Sequence, residues 1–101
     1  MRQGNATLIK YIIHSVAEYY QITDYDLCFG GRKRKFSEPR QIAAYCIYKF
    51  AEASYPAIAA MFGKKSHVTI MYAIVKVEEW RDNPVLNRKA VRCIQHVLEH
   101  N

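Results

Sequence analysis

Apolar residues recur at intervals of three and four along most of the chain, the spacing that places them on one face of an α-helix. The first apolar stripe consists of Ile9, Ile12, Ile13, Val16, Ala17 and Tyr20. Asn5 precedes this stripe and can cap a first helix by accepting hydrogen bonds from the amides of its first turn. No stretch alternates apolar and polar residues for long enough to predict a strand. The pattern therefore predicts an all-helical chain.

Caps and a basic loop predict the bounds of the second and third helices. Thr23 is a candidate cap for a short second helix that ends near Cys28. Residues 30–35 then join two glycines to four consecutive cations, and because like charges repel at helical spacing we expect a loop here. Ser37-Glu38-Pro39 opens the third helix, since proline lacks an amide hydrogen and fits a first turn. The third helix would bury Ile42, Ala43, Cys46, Ile47 and Phe50.

Three further helices complete a predicted all-α, six-helix bundle around a single core. Ser54 begins the fourth helix, and Gly63 ends it because glycine readily adopts the left-handed conformation of a helix terminator. Ser66 caps the fifth helix, Asn83-Pro84 stops it, and a sixth helix runs from about Val85 to His100. The expected inward positions of the last two helices are Ile70, Ala73, Ile74, Val77, Trp80, Leu86, Ala90, Ile94, Val97 and Leu98.

Length and composition are those of one globular domain. The chain has 101 residues, 50% of them hydrophobic and 24% charged, which is enough to bury a core without metals or disulfides. No glycine-rich phosphate loop is present, and the longest apolar run, residues 42–48, is far shorter than the roughly 20 residues that cross a membrane. Three cysteines without close spacing indicate free thiols in a reducing cytoplasm. We expect one cytoplasmic domain over residues 1–101 without metal or cofactor.

The positive charge is concentrated in the middle half of the chain. The formal net charge is +6, whereas the stretch from Gly30 to Lys76, with nine bases and two acids, carries +7 and the remainder −1. A patch of this sign attracts polyanions through Coulomb forces and counterion release. The plainer alternative is a solvated basic face that only keeps the protein soluble. The segregation of charge favours a nucleic-acid partner.

The two predicted helices around Gly63 have the lengths, and the connection between them is the short glycine-containing turn, that are typical of a helix-turn-helix over about residues 54–81. In such a motif the start of the second helix carries short or polar side chains that reach base edges, and nearby cations contact phosphates. His67 can donate to a purine N7 or O6, and Val68 can touch a thymine methyl. The turn and the first helical residues are Lys64, Lys65, Ser66, His67, Val68 and Thr69.

Four short motifs follow one another in a fixed order. They are residues 16–22 (VAEYYQI), 39–43 (PRQIA), 54–58 (SYPAI) with Phe62-Gly63, and 67–70 (HVTI) with Ala73. In this order, and in register from about Leu8 to Val77, they resemble the C-terminal DNA-binding domain of the bacterial replication initiator DnaA. The resemblance implies a Trp-repressor-like helical fold and binding to double-stranded DNA, in replication initiation or its regulation.

The resemblance also implies roles for single residues. Arg40, in the Pro-Arg-Gln motif, would read the minor groove, and Pro56 would lie where the fourth helix approaches the phosphates. Lys65 is a cation at a position where the family's turn also has a cation. His67 and Thr69 are identical to the residues that the family has at these positions. The cations expected to flank Arg40 at the minor groove are Arg32, Lys33, Arg34 and Lys35.

Three positions depart from the family pattern. Ser66 stands where the family has an aspartate that contacts cytosine, Val68 where it has a threonine, and Tyr72 where it has a histidine. Loss of the carboxylate removes a contact worth about 1–3 kcal/mol of base discrimination. The fold and DNA binding are therefore expected to carry over, but not the family's own DNA box.

Whole initiators of this family carry an upstream nucleotide-hydrolysing domain with a Walker motif, which this sequence lacks. The chain is therefore expected to bind no nucleotide and to be either an excised domain or a free-standing relative. The Met1-Arg2-Gln3 start and the divergent recognition turn favour the free-standing relative. A possible ATPase-bearing replication partner stays unidentified.

Other interpretations have weaker support. His67 lacks a catalytic partner nearby in sequence, so we expect no enzyme. Cys93, His96 and His100 have helical spacing but no fourth ligand for zinc. A protein-interaction module or transcriptional regulator with decayed box specificity stays open, and RNA binding is disfavoured because A-form RNA closes its deep groove to a helix. The tyrosines that could stack on single-stranded bases are Tyr19, Tyr20, Tyr45, Tyr48, Tyr55 and Tyr72.

Overall fold

The computed structural model describes residues 4–64 and 66–99, and within these ranges the chain is helical with no strand. The helices are α1 (Ala6–Tyr19), α2 (Asp24–Phe29), α3 (Arg34–Phe50), α4 (Tyr55–Met61), α5 (Val68–Asp82) and α6 (Arg88–Glu99). A short 3₁₀ helix, Pro84–Leu86, precedes α6. The predicted all-α fold with six α-helices is confirmed.

The third helix, α3, lies at the centre and packs against each of the other α-helices. Residues 42–47 of α3 are all buried, as expected of a helix that is surrounded on every side. The predicted inward positions Ile42, Ala43, Cys46 and Ile47 are confirmed, whereas Phe50 is exposed at the end of α3. The remaining helices therefore form a shell that α3 holds together.

Three predicted N-caps are confirmed. Asn5, Thr23 and Ser54 each accept a hydrogen bond on their side-chain oxygen from the amide three residues later, at 3.1, 3.0 and 3.3 Å. Each cap satisfies one of the amides that a helix start leaves without an intrahelical partner. The starts of α1, α2 and α4 are thus determined by local sequence.

The start of α3 differs from the prediction. The helix begins at Arg34 rather than at Ser37, so Arg34 and Lys35 lie in its first turn and Pro39 lies inside it. The reason is a pairing one turn along the helix, in which the Arg34 guanidinium lies 3.0 Å from a Glu38 carboxylate oxygen. This ion pair offsets the repulsion between neighbouring cations. The predicted loop is therefore shorter by two residues.

The starts of α5 and α6 also differ from the prediction, whereas α5 ends at Asp82, immediately before Asn83-Pro84, as predicted. Ser66 does not cap α5 in the usual way, because its hydroxyl accepts from the amide of Val68 only two residues later, at 3.2 Å, and α5 begins at Val68. The sixth helix begins at Arg88 rather than near Val85, after Asn87 accepts from the amide of Ala90 at 3.0 Å.

The delayed start of α6 changes which residues are buried. Leu86 and Leu98, both expected in the core, are exposed, whereas Ala90, Ile94 and Val97 are buried as predicted. His100 lies outside the described residues, so the predicted end of α6 and the Cys93-His96-His100 set stay untested. Among the described residues, no helix combines the length and apolar character that a membrane crossing requires.

Candidate nucleic-acid interface

Arg40 occupies a buried position between α2, α3 and the basic loop (residues 30–35). The residue is only 7% exposed, whereas the expected role as a minor-groove reader requires an exposed position on the helix. Its Nε donates to the carbonyl of Leu27 at 2.7 Å and its Nη1 to the carbonyl of Gly31 at 3.0 Å. Both carbonyls lie at or just beyond the end of α2, where a helix leaves its last carbonyls without partners. Arg40 therefore fastens the basic loop to α2.

The third nitrogen of Arg40 differs from the other two. Nη2 is buried and, within the described part of the chain, has no hydrogen-bond partner. Burial lowers the pKa of Arg40 from its ordinary value, yet an arginine in a protein stays charged. An unpaired buried donor costs free energy unless a ligand or water satisfies it. Arg40 thus keeps one nitrogen for a further acceptor, which can reach it only if the side chains that cover Nη2 move.

A cleft of about 430 Å³ lies beside Arg40. It brings together residues far apart in the sequence, namely Arg32 of the basic loop, Lys64 of the turn before α5, and Thr69 of α5. The other lining residues are Ser37, Arg40, Gln41, Ala44, Ile70 and Ala73. The basic loop, α3 and the start of α5 therefore share one concave, positively charged surface.

The cations around this cleft are not equivalent. Arg34 pairs with Glu38, Lys49 lies 3.7 Å from a Glu78 carboxylate oxygen, and Lys35 lies over the ring of Phe36. By contrast, Arg32, Lys33 and Lys64 form no ion pair with an acidic side chain in the described ranges. Of these three, Arg32 and Lys64 also line the cleft, so their charge is directed to its surface.

Glu38 is a buried carboxylate that joins two parts of the fold. The phenol of Tyr20 on α1 donates to Glu38 Oε2 at 2.8 Å. Burial, together with this hydrogen bond, raises the pKa of Tyr20 well above its ordinary value, so the phenol keeps its proton. Arg34, on the other carboxylate oxygen, therefore has a local structural role besides its place in the basic loop.

Gly63 sets the direction of the turn between α4 and α5. Its φ of +66° lies in the left-handed region that favours glycine. The Gly63 amide donates to the Ala60 carbonyl at 3.1 Å, and the Lys64 amide donates to the Ala59 carbonyl at 2.8 Å, which is the Schellman arrangement. The predicted role of Gly63 is confirmed, while Lys65 lies outside the described residues.

The fifth helix, α5, has two apolar faces. Its inner face is buried against the core through Ile70, Ala73, Ile74, Val77 and Trp80, as predicted. Its outer face carries an exposed apolar stripe, 41–74% exposed, formed by Val68, Met71, Tyr72 and Val75. Sequence analysis had singled out Val68 and Tyr72 but not Met71 and Val75. Met71, Tyr72 and Val75 lie three, four and seven residues after Val68, and this helical spacing was the available signal for the stripe.

The predicted base-contacting residues surround the N-terminal end of α5. Ser66, His67, Val68 and Thr69 are all exposed there, and Tyr72 follows one turn later on the outer face. Exposed amides at a helix start carry partial positive charge, which favours negative groups. Of these residues, Thr69 also lines the basic cleft.

A column of three parallel rings supports this end of α5. The rings of Tyr48 and Tyr55 stack with centroids 4.8 Å apart and planes 10° apart. The Tyr55 ring in turn lies parallel to the His67 ring, with centroids 6.5 Å apart and planes 9° apart. Pro56 is exposed next to Tyr55 in the first turn of α4. This ring column (Tyr48, Tyr55 and His67) could not be found from the sequence, because its members lie on α3, on α4 and just before α5, and spacing along one helix does not relate them.

The family model for the bacterial dnaA protein helix-turn-helix matches residues 9–77, which include the basic loop, the turn and most of α5. The chain belongs to this family. The domain that defines it is a DNA-binding helix-turn-helix rather than a catalytic domain.

Similar proteins are chromosomal replication initiator proteins DnaA. That of Magnetococcus marinus is 39% identical over 77 residues, which cover 76% of this chain and 17% of the relative. That of Rickettsia akari is 37% identical over 92 residues, covering 91% and 20%. That of Thermus thermophilus is 40% identical over 68 residues, covering 67% and 16%. The chain thus spans at most a fifth of the length of these relatives.

Proposed function

We propose that the chain binds double-stranded DNA with sequence preference, in replication initiation or its regulation. In this proposal α5 enters the major groove, and the basic loop with Arg40 lies at the minor groove. The observation that carries it is the shared cleft, in which Arg32, Lys64 and Thr69 meet. A single DNA duplex can contact all three at once, because its two grooves are separated by one phosphate backbone.

The dimensions of α5 support the major-groove placement. An α-helix with side chains is about 10–12 Å wide, and the major groove is about 12 Å wide. The residues exposed at the start of α5 combine an imidazole, two hydroxyls and a methyl-bearing surface, which suit base edges. The residues assigned to base edges are Ser66, His67, Val68, Thr69 and Tyr72.

The remaining site residues are assigned to the DNA backbone and the minor groove. Arg32, Lys33, Arg34 and Lys35 flank the minor groove. Arg40, which lines the same cleft as Arg32, is assigned to this groove as well, and its buried Nη2 becomes accessible when the duplex displaces the side chains that cover it. Its Nε and Nη1 join α2 to the basic loop through Leu27 and Gly31, so Arg40 also helps to position Arg32. Pro56, Lys64 and Lys65 are assigned to phosphates beside α5, where point charges position the protein without reading sequence.

The proposal extends to the setting in which the chain acts. We take residues 1–101 as one domain, since α3 packs against each other α-helix. The described thiols are free, which fits a reducing cytoplasm. Nucleotide hydrolysis is assigned to none of these 101 residues.

A second candidate function is a regulator or protein-interaction module with decayed box specificity. It is favoured by the apolar stripe on α5, since a contiguous exposed apolar surface often marks a protein contact. The stripe has only four side chains, however, whereas stable protein interfaces use about 20–30 residues a side. DNA binding therefore stays the main proposal.

Binding-site selection from random duplexes at physiological salt tests the proposal. We expect one enriched motif that contains an A·T-rich segment for the minor-groove contact. The matched control is His67→Ala, which should recover a less defined motif from the same library. Salt-sensitive binding without any enriched motif would mean that a basic bundle holds DNA by charge alone. No duplex binding would favour the protein-interaction module.

A further inference from the structure

The ring column connects the rigid centre of the fold to an exposed histidine. Tyr48 is on α3, Tyr55 is the first residue of α4, and His67 lies immediately before α5. The hydroxyl of Tyr55 also donates to that of Tyr48 at 3.4 Å, and both tyrosines pack against the core. The column therefore passes from packed side chains to the surface assigned to base edges.

His67 has few other constraints on its ring. The residue is exposed, and its side chain forms no capping hydrogen bond at the start of α5. The second side-chain torsion of histidine is broad in the absence of contacts. The Tyr55 ring, whose centroid lies 6.5 Å from that of His67, favours one orientation of the imidazole, and the tilts of 9° and 10° show that the three rings lie in nearly parallel planes.

We propose that Tyr55, supported by Tyr48, is a positioning residue that orients the His67 imidazole for base reading. The inference rests on the proposed function of α5. A ring N–H reads a base only when it points along the acceptor's lone pair, so a ring held in one plane loses less freedom on binding. Tyr55 thereby determines specificity without touching a base.

The test compares the ratio of affinities for the selected site and random DNA. Tyr55→Leu removes the ring, and we expect this ratio to fall about 2- to 12-fold, the range that corresponds to one aromatic ring pair. Tyr55→Phe keeps the ring and should retain the ratio. Tyr48→Leu should reduce it less, since one ring of the column still contacts His67.

The matched control is Tyr19→Leu. Tyr19 also contacts a histidine ring, that of His96 at 5.3 Å, but on α1 and α6 away from the cleft. This variant loses a Tyr–His ring pair of comparable size and should leave the ratio unchanged. Thermal unfolding of every variant monitors folding. If Tyr55→Leu fails to fold, Tyr48→Leu and the ring-proton shifts of His67 by NMR take its place.

A double-mutant cycle separates this inference from the proposed function. In a His67→Ala background, Tyr55→Leu should cause no further fall in the ratio. If His67→Ala lowers the ratio but Tyr55→Leu does not, the positioning role is overturned while base reading stands. If the effects of the two changes simply add, Tyr55 affects specificity independently of His67 and the inference is wrong. If His67→Ala itself leaves the ratio unchanged, base reading by His67 and the positioning role fall together.

Discussion

The basic loop and the turn before α5 lie on one surface but are held in place by different means. The loop depends on Arg40, whose buried guanidinium donates to two backbone carbonyls. The turn depends on backbone hydrogen bonds around Gly63 and on the ring column. A single polar side chain therefore positions the loop, whereas several smaller contributions position the turn.

The comparison shows that equal charges in the sequence do not have equal roles. Arg40 is used for structure, Arg34 is partly neutralised by Glu38, and Arg32 faces the cleft without an ion pair in the described ranges. We therefore expect the loop to supply most of the affinity through charge and the turn to supply sequence preference. Four predictions test this division.

The largest expected effect is that of salt on affinity. If about 5 phosphates are contacted, log K should fall with log salt at a slope near −4.5, an affinity loss of about 500-fold between 50 and 200 mM salt. Arg32→Ala should reduce the magnitude of the slope by about 0.9, because it removes one contact. His67→Ala should leave it unchanged. Fluorescence anisotropy titrations over a salt series measure these slopes, and a flat response would contradict any nucleic-acid role.

Arg40→Ala should have the next largest effect, and it should act on folding. The change leaves two carbonyls without their charged donor, so the free energy of unfolding should fall by about 2–4 kcal/mol. Duplex affinity and A·T preference should fall as well, by about 1–3 kcal/mol. Urea unfolding and anisotropy, the latter well below the melting temperature, measure the two effects separately.

Arg32→Ala is the matched control for Arg40→Ala. Arg32 is exposed, so its removal should change the free energy of unfolding by no more than about 0.5 kcal/mol while weakening all duplexes. Equal losses of stability in the two variants would show that the buried hydrogen bonds of Arg40 contribute little. The contrast between a structural and a free cation would then fail.

Substitutions at the start of α5 should change the sequence preference of binding rather than its dependence on charge. The double substitution Ser66→Asp with Val68→Thr restores the residues that the family has at these positions. An aspartate accepts from cytosine N4, so preference for the family's box over the selected site should rise by about 1–3 kcal/mol, or roughly 5- to 150-fold. Competition binding against both duplexes measures the shift, with Lys64→Ala as the control that weakens both equally. No gain for the box would mean that the start of α5 does not read bases.

The smallest expected effect concerns the methyl surface of Val68. Replacing a contacted thymine by deoxyuridine removes only the C5 methyl group, which should weaken binding by about 0.8 kcal/mol, or roughly 4-fold. Val68→Ala should abolish this difference, while His67→Ala should retain it. Anisotropy with singly substituted duplexes locates the contacted thymine. An effect that persists in Val68→Ala would assign the contact to Met71, Tyr72 or Val75 instead.

Much of the fold could be predicted because its signals are local. The caps at Asn5, Thr23 and Ser54 act over three residues, and Gly63 ends α4 through its own backbone conformation. The inner face of α5 follows from helical periodicity alone. The start of α3 could not be predicted, because proline is a good helix start in general, and the Arg34–Glu38 pair that overrides it depends on a carboxylate also held by Tyr20.

The amino-acid sequence by itself determined the helical architecture, the segregation of positive charge and the position of the helix-turn-helix. Each of these depends on periodicity, composition or neighbours along one helix. Only the tertiary structure decided that Arg40 is buried and that Tyr55 lies against His67. These contacts join residues 12 or more positions apart across different elements. Such a contact depends on how α2, α3, α4 and α5 pack together, which local patterns do not encode.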